Sequence, residues 1–292
     1  MILLGVFVGC RHAQSPTPAA SNRVVLYCSV DDVYARPIIR DLEKRTGLRI
    51  DALYDTEAAK TAGLANRIRA ERDRPRGDVF WSSALLQTLL LNREGLLQPY
   101  QSPAASNIPR AFRAADGAWT GLGARPRVIV YHQSVKNPPR SLQDLLQPRF
   151  KDKVGISNPQ FGTASDWVAA LATRWGRAKT LNYFRALKKN GVRVLAGNSV
   201  VADKVHRGEL LAGVTDSDDF LAQMRKTSDG IRVHKLSATG TADVVLIPGS
   251  VAVLAKAPHP QAARRLMDAL LSAATEQQLV KQMPGVLPLR RS

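Results

Sequence analysis

The sequence predicts an α/β fold in two lobes, each a mostly parallel sheet flanked by helices. Three observations carry this expectation. Short apolar runs with β-branched residues alternate with helix-period segments over the first hundred residues, the pattern of a parallel sheet covered on both faces. A similar alternation starts afresh after residue 132. At 292 residues the chain is also about as long as a single core can grow before dividing.

In order, residues 23–29 (RVVLYCS) read as a buried strand. Residues 32–45 follow as a helix, with Val33, Ile38, Ile39 and Leu42 at helical spacing and Thr46-Gly47 as the stop. A second strand (48–54), a helix (57–72), a turn at 74–77, a third strand (78–81, DVFW) and a helix (84–93) complete the first series. The stretch 119–132, WTGLGARPRVIVYH, reads as the crossing between lobes. Its Gly-rich first half looks turn-like, and Val128 to Tyr131 is a short strand with Arg125 and Arg127 just before it, near a cleft. Beyond it come a short helix (141–146), a strand (154–157), a helix opening within 158–166 and running to about 173, and a basic helix (178–190) whose charges read as a solvated face. Next are a strand (192–195), a helix (200–207) capped by Gly197-Asn198-Ser199, and a strand (210–214). Strands at 244–248 and 251–254 return to the first lobe, and helices at 260–272 and 275–283 close the chain. The implied boundaries are 1–22 for a leading segment and tether, 23–130 plus 246–292 for the first lobe, and 131–245 for the second.

The chain carries 42 Lys+Arg against 24 Asp+Glu, a formal net charge of +18. No Lys/Arg run exceeds two residues and no aromatic-interleaved basic motif is present, so the charge reads as a basic solvated surface rather than a nucleic-acid interface. There is no GxSxG, HExxH or P-loop, and His12, His132, His206, His234 and His259 are scattered. An enzyme is therefore not expected, and no cofactor is implied. Two cysteines, Cys10 and Cys28, leave no need for a disulfide in a chain of this size.

Ligands of open α/β sheets bind beyond the carboxyl ends of the strands. That rule selects Cys28, Ser29, Asp31 and Asp32 after the first strand, Tyr54 to Glu57 after the second, and Ser82 and Ser83 after the third. Asn158 to Asp166 opens a helix whose exposed N–H groups suit an anion, with Thr163 and Asp166 at capping-box spacing. The densest acidic site is Thr215-Asp216-Ser217-Asp218-Asp219. Thr215 and Asp218 also have capping-box spacing, which leaves Asp216 and Asp219 without a task. Close carboxylates repel unless a cation or donor lies between them, and hard oxygens suit hard cations or amines.

The runs WTGLGARPRVIVYH, YDTEA (54–58), DVFW (78–81), NPQFGTA (158–164), GNSVV (197–201) and TDSDD (215–219), in this order, resemble bacterial ABC-transporter solute-binding proteins of the ferric-iron type. The resemblance runs from about Val24 to Leu279. It implies a type II periplasmic binding fold, two lobes that close on a ligand by a hinge, and delivery to an ABC permease in the inner membrane. Iron-binding members use adjacent tyrosines where this chain has Asp218-Asp219, and the last tyrosine here is Tyr183. The implied metal ligands are Glu57, Tyr131, Asp218 and Asp219, with Fe3+ as cargo. Asp31, Ser82, Arg125, Thr163, Asn198 and Asp216 complete the expected ligand-binding set, with Arg125 holding a synergistic anion or pairing with a carboxylate. The alternative cargo is a small amine-bearing anion such as an aminophosphonate, its amine on the carboxylates and its anionic end on Arg125 and the helix start at Thr163.

Residues 2–10 form an apolar run ending in Gly9-Cys10, before a polar, Pro-containing stretch suited to a flexible tether. This resembles a bacterial lipoprotein signal with Cys10 as the lipidated residue. The run is short and lacks a basic start, which implies a true start further upstream. A periplasmic, membrane-anchored monomer is the expectation.

Overall fold

The structure, a computed structural model, describes residues 22–55, 61–227, 229–233 and 245–290. The expected Cys10 and Glu57 sites lie outside the described residues.

The first lobe begins with β1 (Arg23–Cys28), α1 (Asp32–Thr46), β2 (Arg49–Tyr54), α2 (Ala62–Ala70), β3 (Val79–Ser82), α3 (Leu86–Arg93) and the short β4 (Leu97–Gln98). β1 lies between β2 and β3 and is parallel to both, so their carboxyl ends open on one edge. Alternate residues face opposite ways along a strand. Leu26, Cys28, Val79 and Trp81 therefore enter the core beneath α1, while Tyr27 and Phe80 enter the core that includes Leu64 and Ile68 of α2. Burial on both faces explains the unbroken apolar runs.

β5 (Thr120–His132) joins the lobes. The second lobe continues with β6 (Val154–Ser157), α4 (Gly162–Trp175), α5 (Arg177–Lys189), β7 (Arg193–Leu195), α6 (Asn198–His206), β8 (Ala212–Asp216), α7 (Ser217–Lys226) and β9 (Ile231–Val233). β10 (Leu246–Leu254) returns to the first lobe, and α8 (Pro260–Leu270) and α9 (Ala273–Gln282) pack on it. The strand order is β2-β1-β3-β10-β5-β8-β6-β7, with β4 on β10 and β9 on β5. β6 is parallel to β7 and β8, and β5 is antiparallel to both β10 and β8. Thus Thr120 to Pro126 pair with β10, while Arg127 to Tyr131 pair with β8.

Three expectations are corrected here. The crossing is one 13-residue strand rather than a turn followed by a short strand. Its glycines serve close packing. A Cβ on Gly121 would lie 2.7 Å from Leu289 Cδ1, and one on Gly123, at φ +62°, 2.8 Å from Val286 Cγ1. Arg125 and Arg127 sit inside this strand and are buried. The returning stretch is a single strand with a register shift between Pro248 and Ser250. The expected helix at 141–146 is a 3-10 turn, Gln143–Leu146.

Candidate functional site

The site lies where β5 passes between the lobes. Arg125 and Arg127 are two residues apart and pair with Ile247 of β10 and Asp216 of β8 respectively. Each finds an aspartate from the β8–α7 corner, with different results.

Arg127 is enclosed. Its Nη1 donates to Asp216 Oδ1 (2.9 Å), Asn198 Oδ1 (2.8 Å) and Thr163 Oγ1 (3.3 Å), and its guanidinium lies 5.3 Å from the centre of the Trp167 ring. Asp216 Oδ2 accepts from Thr163 Oγ1 (2.5 Å) and Asn198 Nδ2 (3.0 Å). Ser157 Oγ donates to Asn198 Oδ1 (2.5 Å). Arg127 and Asp216 side chains are each 1% exposed. This network binds β5, β6, β8, α4 and α6 together. It gives Asp216 its task, and removes it from the set available to a ligand.

Arg125 reaches the cleft. Its Nη1 donates to Asp218 Oδ2 at 3.3 Å, and its Nη2 donates to the carbonyl of Ser83, in the first lobe, at 2.5 Å. Burial works against the guanidinium charge, but Asp218, Asp216, Asp31 and Asp219 together hold its pKa above the ordinary arginine value. Burial raises the Asp218 carboxyl, which Arg125 opposes and Asp216 reinforces. Asp218 Oδ1 is buried with no hydrogen-bond partner among the described residues.

A cavity of about 150 Å³ opens beside this pair. Asp31 and Ser83 line it from the first lobe, and Asp218, Asp219, Ser157 and Asn158 from the second. The starts of α4 (Gly162, Thr163) and α6 (Asn198, Ser199) also face it, and neither helix carries a side-chain cap. Their first-turn N–H groups are suited to negative charge. Carboxylate oxygens of Asp216, Asp218 and Asp219 lie within 4.8 Å of one another. With Asp216 committed to Arg127, the oxygens facing the cavity come from Asp218 and Asp219, opposite Asp31.

The structure therefore brings Asp31, Arg125, Thr163, Asn198, Asp218 and Asp219 to one cavity, and leaves others away from it. Ser82 Oγ donates to the carbonyl of Ala84 (2.6 Å) and is fully buried; its neighbour Ser83 faces the cleft instead. Tyr131 pairs with Ala212 and Arg232 four residues along β5 from Arg127, roughly 13 Å at the rise of a strand. It packs on the second-lobe core, so its phenol does not join the carboxylates. The expected caps also differ. Thr163 Oγ1 serves Asp216, Thr215 Oγ1 donates to the carbonyl of Asn198 (2.9 Å), and the Asp166 carboxylate accepts from the N–H groups of Leu85 and Leu86 rather than from its own helix.

One group that the sequence did not bring forward is Tyr34, which packs on the first-lobe core and is not among the residues lining the cavity. Its half-buried phenol stands in α1, and its pKa is raised first by burial and then by Asp218, Asp31 and Asp219, the three carboxylates of the cleft. Its place three residues after Asp31 was the available signal. The three histidines among the described residues have local partners: His132 meets Ser134, His206 meets Thr227 and His259 meets Asp78, while His12 and His234 lie outside the described residues. Cys28 is buried and its thiol pKa is raised by that burial, which suits a core residue rather than a nucleophile.

Two lobes enclosing a polar cavity at their crossing strands define a solute-binding protein of the type II periplasmic class. The chain belongs to the bacterial extracellular solute-binding protein family, which it matches over residues 23–282. Members of this family are binding proteins rather than enzymes. Among relatives, Iron uptake protein A1 of Synechocystis sp. is 24% identical over 269 residues, covering 88% of this chain and 73% of that protein. The Major ferric iron-binding protein of Neisseria meningitidis is 28% identical over 208 residues, covering 69% of this chain and 60% of that one. The match thus spans less than two thirds of the Neisseria protein. Iron-bound HitA from Pseudomonas aeruginosa shares the fold with a TM-score of 0.82 at 21% identity, covering 92% of this chain and 87% of that one. No helix among the described residues is long and apolar enough to cross a membrane.

Proposed function

We propose that this chain is the capture component of an ABC importer and that its cargo is ferric iron or a metal ion of similar hardness. The observation that carries this reading is the convergence of Asp31 from one lobe with Asp218 and Asp219 from the other on a small polar cavity. Three carboxylates and one buried guanidinium leave a net negative site in a strongly basic protein, and all-oxygen donors suit hard cations. The volume favours a small cargo, since pockets for drug-sized organic ligands start at roughly 300 Å³. The relatives named for iron support the same choice.

In this reading the ion bridges the lobes, with Asp31 on one side and Asp218 and Asp219 on the other. Glu57 remains a further candidate ligand from the first lobe. The uncapped starts of α4 and α6 hold an anion that completes the ion's coordination. Tyr34 supplies a phenol within the field of the same carboxylates, and a bound trivalent ion would favour its phenolate. Arg125 does not act as a free anion clamp, because Asp218 and the Ser83 carbonyl already take its two ends. Lipidation at Cys10, a periplasmic location, a monomeric state, docking to an inner-membrane permease and lobe limits at 130/131 and 245/246 belong to the same proposal.

The test is metal stoichiometry. Chelator-stripped protein, incubated with ferric citrate and desalted, should retain about one iron per chain by elemental analysis, and Asp218→Ala should retain far less. Failure to retain iron, together with a co-purified organic amine found by native mass spectrometry, would overturn the metal reading and favour the amine-bearing anion.

A further inference from the structure

We propose that Asp166 is a positioning residue for ligand capture: a carboxylate of the second lobe that docks on the first turn of α3 in the first lobe and holds the cleft shut. The inference rests on the binding-protein reading and not on the identity of the cargo.

Asp166 is the fifth residue of α4 and is 8% exposed. Its Oδ2 accepts from the N–H of Leu85 at 2.5 Å, and both its oxygens accept from the N–H of Leu86, at 3.1 and 3.2 Å. α3 has no side-chain cap of its own and no acidic residue in its first turn. The cap that a Ser, Asp or Asn would normally provide within the chain segment is thus delivered from the opposite lobe. Two residues earlier, Ser83 is held by Arg125. The approach to α3 is therefore gripped at two points, by a strand that belongs to both lobes and by a carboxylate of the far lobe.

A second contact closes the other side. Ser217 Oγ donates to the carbonyl of Gly285 at 2.7 Å, and a Cβ on Gly285, at φ +97°, would stand 2.6 Å from Asp218 N. Asp166 does not line the ligand cavity, so its bonds are made without any cargo. In an open protein the Leu85 and Leu86 N–H groups would turn to water. In a closed one lacking Asp166 they would be buried without an acceptor.

The charges that face Asp166 are Arg125 from β5 and Asp216 from β8. The first turn of α3 and all of β10, which also pack against α4, carry no charged residue, and α5 on the outer side turns its Lys and Arg residues to solvent. Burial dominates, and pushes the Asp166 carboxyl up to about 6 despite the two amide donors. Opening returns it to water and to the ordinary value near 3.9. The closed form therefore binds the proton more tightly. Its advantage from this group grows as pH falls through 6, by about tenfold in the closing equilibrium between pH 7.5 and 5. The neutral acid still accepts through its carbonyl oxygen.

The experiment uses ligand-free full chain, so that it does not depend on what the cargo is. Small-angle X-ray scattering reports lobe opening through the radius of gyration, and hydrogen exchange reports the Leu85 and Leu86 amides. Asp166→Ala should open the ligand-free protein and release those two amides by at least tenfold in exchange, with amides of the lobe cores unchanged. Asp166→Asn, which keeps an acceptor and cannot ionise, should stay closed and lose about tenfold of the pH dependence seen in the parent between pH 7.5 and 5. Should Asp166→Ala scatter like the parent, or Asp166→Asn keep the parent pH profile, the latch is overturned. If the alanine variant does not fold, the asparagine comparison decides alone. A failed iron titration would leave all of these outcomes readable.

Discussion

Two arginine–aspartate pairs stand side by side at the crossing strands, and they do different work. Arg127 and Asp216 are closed in, with both carboxylate oxygens engaged by Arg127, Thr163 and Asn198. Arg125 lies two residues before Arg127 on β5, and Asp218 lies in the first turn of α7, two residues past Asp216 at the end of β8; yet the bond is longer, one Asp218 oxygen has no hydrogen-bond partner among the described residues, and the guanidinium reaches across to Ser83. A two-residue step along a strand keeps a side chain on the same face and moves it roughly 7 Å. Here that step separates the second-lobe core from the cleft. A buried ion pair whose two carboxylate oxygens are both engaged fixes the relation of five elements. The same chemistry left incomplete is available to a ligand.

The largest expected effect tests the closed pair. Asp216→Ala leaves Arg127 charged and buried, which should cost about 3–5 kcal/mol of stability by urea denaturation. Equal stability would mean that the pair is not the keystone of the second lobe. The next concerns the cleft pair. Asp218→Ala should weaken iron binding about 100-fold, roughly 2.7 kcal/mol, while lowering the unfolding free energy by less than half as much as Asp216→Ala. If both substitutions destabilise alike and binding survives, the distinction between structural and ligand-facing pairs fails. The smallest effect belongs to Tyr34. Tyr34→Phe should abolish any visible charge-transfer absorption of the iron-loaded protein and weaken binding by several-fold only. An unchanged spectrum would place the phenol outside the coordination sphere.

Much of the fold was legible because burial leaves a periodic trace. Val24 to Cys28 and Val79 to Trp81 are apolar at every position since both faces are covered, and α1 shows Ile38, Ile39 and Leu42 at helical spacing. The crossing strand was harder. Gly121 and Gly123 look like turn residues, but they mark where the C-terminal segment presses on the strand at Leu289 and Val286, more than 160 residues away in sequence. The site was half legible. Asp31 was picked out by the strand-end rule, Thr163 by its helix start, Asp218 by the acidic cluster and Asn198 by the family resemblance, and all four line the same cavity. Tyr131 was misplaced because position in a motif does not tell how far along a strand the cleft lies. Asp166 read as a local cap because its spacing from Thr163 fits one, whereas its real partner is a helix start in the other lobe.

The sequence by itself determined the class of fold, most of its elements and the oxygen-rich, histidine-poor character of the site. These follow from periodicity and composition, which are local properties of the chain. Tertiary structure alone decided which of two arginines is sealed and which is presented, which aspartate serves the core, and which carboxylate crosses the cleft. Those outcomes depend on hydrogen-bond partners brought together over 80 or more residues of separation, such as Arg127 with Asp216 and Asp166 with Leu85. A buried charge takes its role from whatever satisfies it, and only the folded chain supplies that partner.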